Sequence, residues 1–166
     1  DCEMTLVVKG NTLPAFDAYC PVMSLPHVFK TTVETIPASA NYLYADAALM
    51  EQWEKKLGAS HCPRVGLVWS GSTGHQNDAN RSIPLEMLLP LLDLPVEWHS
   101  LHKEYRPKDE TLLQSHPEII QHQDDLGDYA DTAALIACLD LVITVDTSVA
   151  HVAGALGKPV WILLPY

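Results

Sequence analysis

The stretch Val142-Ile143-Thr144-Val145-Asp146-Thr147-Ser148-Val149-Ala150-His151 decides how the chain is read. Leu141 to Val145 is a short apolar, β-branched run, the pattern of a parallel strand buried on both faces. Asp146 ends the run. Thr147 and Ser148 are both capping types, and Val149 to Leu156 reads as a helix stopped by Gly157. The chain therefore passes from the C-terminal end of a strand straight into a helix N-terminus. In open α/β sheets ligands collect along that edge. A helix N-terminus adds free N–H groups and a partial positive charge, which suit an anion.

Working outward, the pattern is regular from Arg64. Val65 to Trp69 reads as a buried strand, ended by Ser70-Gly71-Ser72-Thr73-Gly74. A polar loop, His75 to Arg81, leads into a predicted helix from Pro84 to about Leu92, with Ser82 as its cap. Val96 to Leu101 is the next strand, and a charged loop, His102 to Pro107, leads to a short helical stretch ending near His116. Ile119-Ile120 opens a weak third strand. Asp128 or Asp131 caps a helix through Leu139, apolar on nearly every side, and Val160 to Leu164 is a final strand. Such alternation predicts an α/β fold, a Rossmann-like, doubly wound parallel sheet with helices on both faces.

Upstream the signals are weaker. Met4 to Val8 and Ala18 to Ser24 are predicted strands, His27 to Ile36 a short helix, and residues 37–41 a loop. Asp46 caps a helix from Ala47 to Leu57, stopped by Gly58, with Leu49, Met50, Trp53 and Leu57 on one face. The expected organisation is a fragmentary N-terminal part over residues 1–45, a connector helix and loop over 46–63, and a nucleotide-binding type of domain over 64–166.

Composition narrows the function. The 166 residues are 48% apolar and 19% charged, an ordinary globular balance, and the formal charge of −11 speaks against a nucleic-acid partner, which needs a basic face. No apolar run reaches the length of a transmembrane segment, and no basic-then-apolar leader is seen. Cys2, Cys20, Cys62 and Cys138 are irregularly spaced without a C-x-x-C pair, so they read as free thiols, and a cytoplasmic location is expected. The chain reads as cut from something longer at both ends.

Several residues could carry chemistry. Ser70 and Gly71 follow the first predicted strand, where phosphate-binding turns sit, but neither G-x-G-x-x-G nor a P-loop is present, and a plain turn explains them equally well. Arg81 precedes a helix, and its planar guanidinium suits phosphate; a solvated surface arginine is the bland alternative. Ser100-Leu101-His102-Lys103 ends the second strand on the same edge, where backbone groups can meet a base and Lys103 a phosphate, or simply form an exposed loop. Asp146, Thr147, Ser148 and His151 are the strongest group, with a capping pair and a packed histidine as the alternative. Among the eight histidines the close pairs are His99/His102 and His116/His122; neither has a third ligand at metal spacing, so no metal is expected. No G-x-S-x-G elbow marks a serine hydrolase.

Taken together, Asp131 to Ala137, Leu139 to Ile143, Asp146 to His151 and Gly154 to Trp161 resemble the C-terminal domain of the heptosyltransferase-like glycosyltransferases, family nine. Trp69-Ser70-Gly71, Asn80 to Pro84 and Pro21 to Pro26 resemble the branch of that family found behind tetratricopeptide repeats. The resemblance implies the C-terminal half of a GT-B fold, binding a nucleoside-diphosphate sugar donor without a cofactor or metal. It implies that Asp146, Thr147, Ser148 and His151 line the diphosphate and sugar, and that Arg81 neutralises phosphate, with Arg81 and His151 as candidate catalytic residues. It also implies that the N-terminal residues are the tail of an acceptor domain. The acidic base and closing helices would then lie in missing portions of the protein's own chain. The acceptor stays open between a glycan, a lipid-linked sugar and a protein. Two other readings remain: a non-catalytic interaction module beside a repeat array, and a sugar-nucleotide epimerase of the same fold.

Overall fold

Five short segments become one parallel sheet because each is flanked by a helix or turn that brings the chain back to the same edge. The computed structural model describes residues 4–37 and 41–164. The strands are β1 (Arg64–Val68), β2 (Glu97–Ser100), β3 (Ile119–Gln121), β4 (Leu141–Val145) and β5 (Val160–Leu163). Their order is β3-β2-β1-β4-β5, and every neighbouring pair is parallel. The predicted α/β, Rossmann-like sheet is therefore present. The helices are α1 (Leu25–Val28), α2 (Ala47–Leu57), α3 (Asp78–Arg81), α4 (Pro107–Leu113), α5 (Tyr129–Ala137) and α6 (Ser148–Ala155).

The period of two along the strands divides the core between the two faces of the sheet. Val68 and Val142 point to one face, under Trp53 of α2, Leu135 and Ile136 of α5, and Ala153 of α6. Val65, Leu67, Trp69 and Ile143 point to the other, against Leu85, Leu88 and, from α4, Leu113. Gly66 is needed for close packing: a Cβ there would come within 2.7 Å of Leu101 Cδ1 and 2.8 Å of Leu139 Cδ1. At the β5 edge, Trp161 and Ile162 are exposed. No described helix is long and apolar enough to cross a membrane.

The caps of α2 and α5 follow the sequence. Asp46 accepts hydrogen bonds from the Ala48 and Leu49 amides at 2.9 and 3.1 Å, and Gly58 ends α2 with φ of 68°. Asp128 caps α5, and Asp131 answers it by accepting from the Asp128 amide, so both candidates take part in one capping box.

Four predicted elements are corrected. The helix predicted from Pro84 to Leu92 is two short 3₁₀ segments, Leu85–Met87 and Leu89–Asp93, because Pro90 has no N–H to continue a helix. Ser82 caps neither; it follows α3, which forms inside the stretch read as a polar loop. Met4–Val8 and Ala18–Ser24 form no strand. A strand needs a partner for its backbone groups, and none of the described residues supplies one. Residues 22–24 instead make a 3₁₀ turn, Val22–Ser24. The helix expected from His27 to Ile36 reduces to α1 and a 3₁₀ turn, Val33–Thr35, since Lys30 adopts φ of 51°. The chain divides into two compact units, Asp1–Ala38 and Ser39–Tyr166, and α2 packs within the second. Cys20, Cys62 and Cys138 are free thiols; Cys2 and most of the loop expected over residues 37–41 lie outside the described residues.

Packing beside the sheet also buries a histidine pair that spacing did not suggest. His99 Nδ1 and His122 Nε2 share a hydrogen bond of 3.0 Å, and their outer nitrogens have no partner among the described residues. Trp53 meets the His122 ring edge-on at 5.2 Å. Burial lowers both pKa values from 6.5 to about 4. Between those values the unfolded chain binds more protons than the folded one. The pair's contribution to stability is therefore fully present above about pH 6.5 and falls as pH drops toward 4, by on the order of 1 kcal/mol per pH unit for each histidine. Urea denaturation at pH 7.5, 6.0 and 5.0 should show the midpoint falling steadily, and a His99→Gln/His122→Asn variant should show a shallower slope. A flat midpoint across that range would contradict the buried neutral pair.

Candidate functional site

The strand order reverses at β1: the chain moves outward through β2 and β3 on one side, then returns to lay β4 and β5 on the other. The loops leaving β1 and β4 therefore diverge, and a crevice opens at the C-terminal edge of the sheet. A cleft of about 820 Å³ lies there. Its walls come from four successive loops: Ser70–Thr73 after β1, Leu101–Pro107 after β2, Leu126–Tyr129 after β3, and Thr147–Val149 after β4.

On the β4 side, Thr147 is the residue before α6, but its side chain does not cap the helix. Its Oγ1 instead pairs with Thr144 Oγ1 at 3.1 Å. Ser148 Oγ accepts from the Tyr129 hydroxyl at 2.7 Å. No side-chain oxygen of Thr147 is spent on the first-turn amides of α6, whereas the neighbouring α5 is closed by two carboxylates. Between these two helix ends, α6 is the one that keeps its attraction for an anion.

On the β1 side, Arg81 reaches across the crevice. Its Nη1 donates to the Asp146 carbonyl at 2.9 Å, linking α3 to the loop after β4. The guanidinium crosses directly over Gly71, where a Cβ would sit 2.5 Å from its Cζ and 2.8 Å from its Nε. Arg106 comes from the β2 side, and its Nη2 donates to the Gly71 carbonyl at 3.1 Å and to Asp78 Oδ2 at 2.6 Å. Burial pushes the Asp78 carboxyl pKa up, but the Ser82 hydroxyl and the Arg106 and Arg81 guanidinium groups outweigh it and hold the pKa below the ordinary value of 3.8.

Two lining residues, His102 and Tyr105, pack against Trp69, which is buried beneath them. The Trp69 amide donates to His102 Nε2 at 3.2 Å, which leaves the ring proton on Nδ1. Burial lowers the His102 pKa to about 3, with help from nearby Arg106, so the ring is uncharged at neutral pH. Trp69 also donates its indole N–H to Asp109 Oδ2 at 3.0 Å and lies parallel to Tyr105.

Of the residues singled out from the sequence, Ser70, Gly71, Arg81, Leu101, Lys103, Thr147 and Ser148 line this cleft together. Ser100 lies fully buried in β2, and Asp146 meets the site through its carbonyl rather than its carboxylate. His151 is exposed on α6, and the cleft wall on that helix ends at Val149. Lys103 bonds to the Leu126 carbonyl and reaches the Gln123 carbonyl at 3.4 Å, so it braces the loop after β3. Sequence reasoning missed Asp78, Arg106 and Tyr129, and it placed His102 at the strand end without seeing its bond to the Trp69 amide. For Arg106 a signal existed: an arginine just before a helix that opens with Pro107, on the loop leaving a strand. Among the described residues no three His, Cys, Asp or Glu side chains cluster as a metal site would need.

Comparison with known proteins gives the site a context. Residues 128–163 match the model of glycosyltransferase family 9 (heptosyltransferase). That stretch begins at the cap of α5 and ends on β5, so it carries the β4 side of the cleft and part of the β3 side. The chain is also similar to protein FlbA of Caulobacter vibrioides, at 28% identity over 159 residues, covering 89% of this chain and 26% of FlbA. The chain thus spans about a quarter of that relative's length. No solved structure matches the chain.

The packing of Arg81 over Gly71 has a direct test. Gly71→Ala should displace the guanidinium from Asp146 while costing little stability, less than about 1 kcal/mol, because a flexible side-chain end can move aside. A crystal structure of the variant would show Arg81 rotated out of the crevice. An unmoved Arg81 with a strongly lowered melting temperature would mean that the backbone, not the arginine, gave way.

Proposed function

We propose that this chain contains the donor-binding portion of an inverting glycosyltransferase that uses a nucleoside-diphosphate sugar. One observation carries the reading. The end of α6 that lacks a side-chain cap and two arginines converge on one cleft at the sheet's switch point, and the family match covers the α6 side of that cleft. The diphosphate would lie between Thr147, Ser148 and Arg81, as anions commonly do at such helix ends. Base and sugar would extend along the loops after β2 and β3.

In the proposed reaction an acceptor hydroxyl attacks the anomeric carbon. The bond from that carbon to the diphosphate oxygen breaks on the opposite side, inverting the configuration. The acceptor's proton goes to a base contributed by the rest of the protein. Negative charge grows on the departing diphosphate, where Arg81 and the α6 amides stabilise it without having to reorganise. Arg81 is the residue we assign to catalysis. His151 would act from beyond the described cleft wall, toward the sugar. The acceptor, whether glycan, lipid-linked sugar or protein, would approach from the remainder of a longer protein that carries tetratricopeptide repeats, and we place the reaction in the cytoplasm.

Titration of nucleoside diphosphates by calorimetry tests the reading. Binding should saturate with Kd below about 1 mM for at least one base. The Arg81→Ala/Thr147→Ala variant should weaken it by roughly 10- to 100-fold, the range for losing a charged hydrogen bond. No binding at millimolar ligand, or equal binding by the double variant, would overturn the proposal.

A further inference from the structure

Two arginines face one small loop, and a single carboxylate stands between them. Asp78 is buried at the start of α3. Its Oδ1 accepts from Ser82 Oγ at 2.8 Å and lies 3.5 Å from Arg81 Nε; its Oδ2 accepts from Arg106 Nη2 at 2.6 Å. The same cluster grips Gly71 at both backbone groups, since the Gly71 amide donates to Ser82 Oγ at 3.2 Å and its carbonyl accepts from Arg106 at 3.1 Å. Arg81 closes over the same residue.

We propose that Asp78 is a positioning residue, a buried carboxylate that holds Arg81 and Arg106 as a matched pair on either side of Gly71 and aims both at the cleft. This rests on the diphosphate-site reading above and adds the element that makes it work. Two guanidinium groups brought this close repel each other, and one negative charge between them removes that repulsion. One carboxylate against two guanidinium groups leaves one positive charge in excess, which is available to an anionic ligand. Sequence spacing supports the arrangement locally: Asp78, Arg81 and Ser82 stand three and four residues apart, on one side of the α3 turn.

The test uses the full chain, with inorganic pyrophosphate and the diphosphates ADP, GDP and UDP as probes. The readouts are affinity and the ¹⁵N–¹H resonances of the arginine Nε groups. In Asp78→Asn, affinity for pyrophosphate and for the best diphosphate should fall about tenfold or more. The Arg81 and Arg106 Nε–H signals should move toward the free-arginine position while the amide resonances of the sheet stay in place. Should that variant not fold, Arg106→Lys decides. It keeps the charge but loses the fork, and it should shift the Arg81 Nε–H signal, because Asp78 is shared. Unchanged affinity, or arginine resonances that stay put in the folded variant, overturns the role of Asp78 and leaves the diphosphate site standing. A parent chain that binds neither pyrophosphate nor any diphosphate overturns both.

Discussion

The parallel pairing of Arg64–Val68 with Leu141–Val145 is the contact on which the rest of the structure depends. Val65 stands opposite Leu141 and Gly66 opposite Val142, and the chain leaves the two strands toward opposite edges of the sheet. Because the two exits diverge, no crossover covers the gap between them, and their loops must find partners across it. Arg81 supplies that link when it donates to the Asp146 carbonyl. The crevice follows from the topology, and the arginine follows from the need to tie its two banks together.

Much of the fold was legible because parallel strands buried on both faces are written as unbroken apolar runs, and Val65–Trp69 and Leu141–Val145 are such runs. Helix ends were legible for a different reason. A cap is a local hydrogen bond, so Asp46 and Asp128 announce it within three residues. The departures have physical causes as well. Met4–Val8 has strand-like residues but lacks a neighbour to pair with among the described residues, and pairing is not a local property. In residues 84–92 the apolar spacing suits a helix, but Pro90 breaks the backbone ladder that spacing assumes.

The candidate site was legible at the level of loops and not at the level of bonds. Strand ends fix which loops meet, so Ser70, Gly71, Arg81, Leu101, Lys103, Thr147 and Ser148 reach one cleft. What each side chain does there depends on partners far away in the chain. Lys103 is engaged by the Leu126 carbonyl, and Arg106 finds Asp78, 28 residues distant. His99 and His122 pair across neighbouring segments of the sheet and were invisible to spacing for the same reason. Asp146 contributes its backbone, a role that no side-chain pattern can encode.

On the proposed diphosphate reading, electrostatics explains how an acidic chain would hold an anion. The net charge of −11 repels a diphosphate at a distance, but salt screens that repulsion over roughly 10 Å. Inside the cleft the balance is local. Asp78 offsets one of two guanidinium charges, and the first turn of α6 adds the positive end of its dipole. Of the five N–H donors of Arg81, one on Nη1 bonds the Asp146 carbonyl and the Nε–H is buried beside Asp78. On the proposed reading, an incoming phosphate would bond the remaining Nη donors of an arginine already held in place, rather than pull it away from its anchor. On the proposed reading, the contacts that tie the two banks of the crevice together are also the ones that would receive the diphosphate.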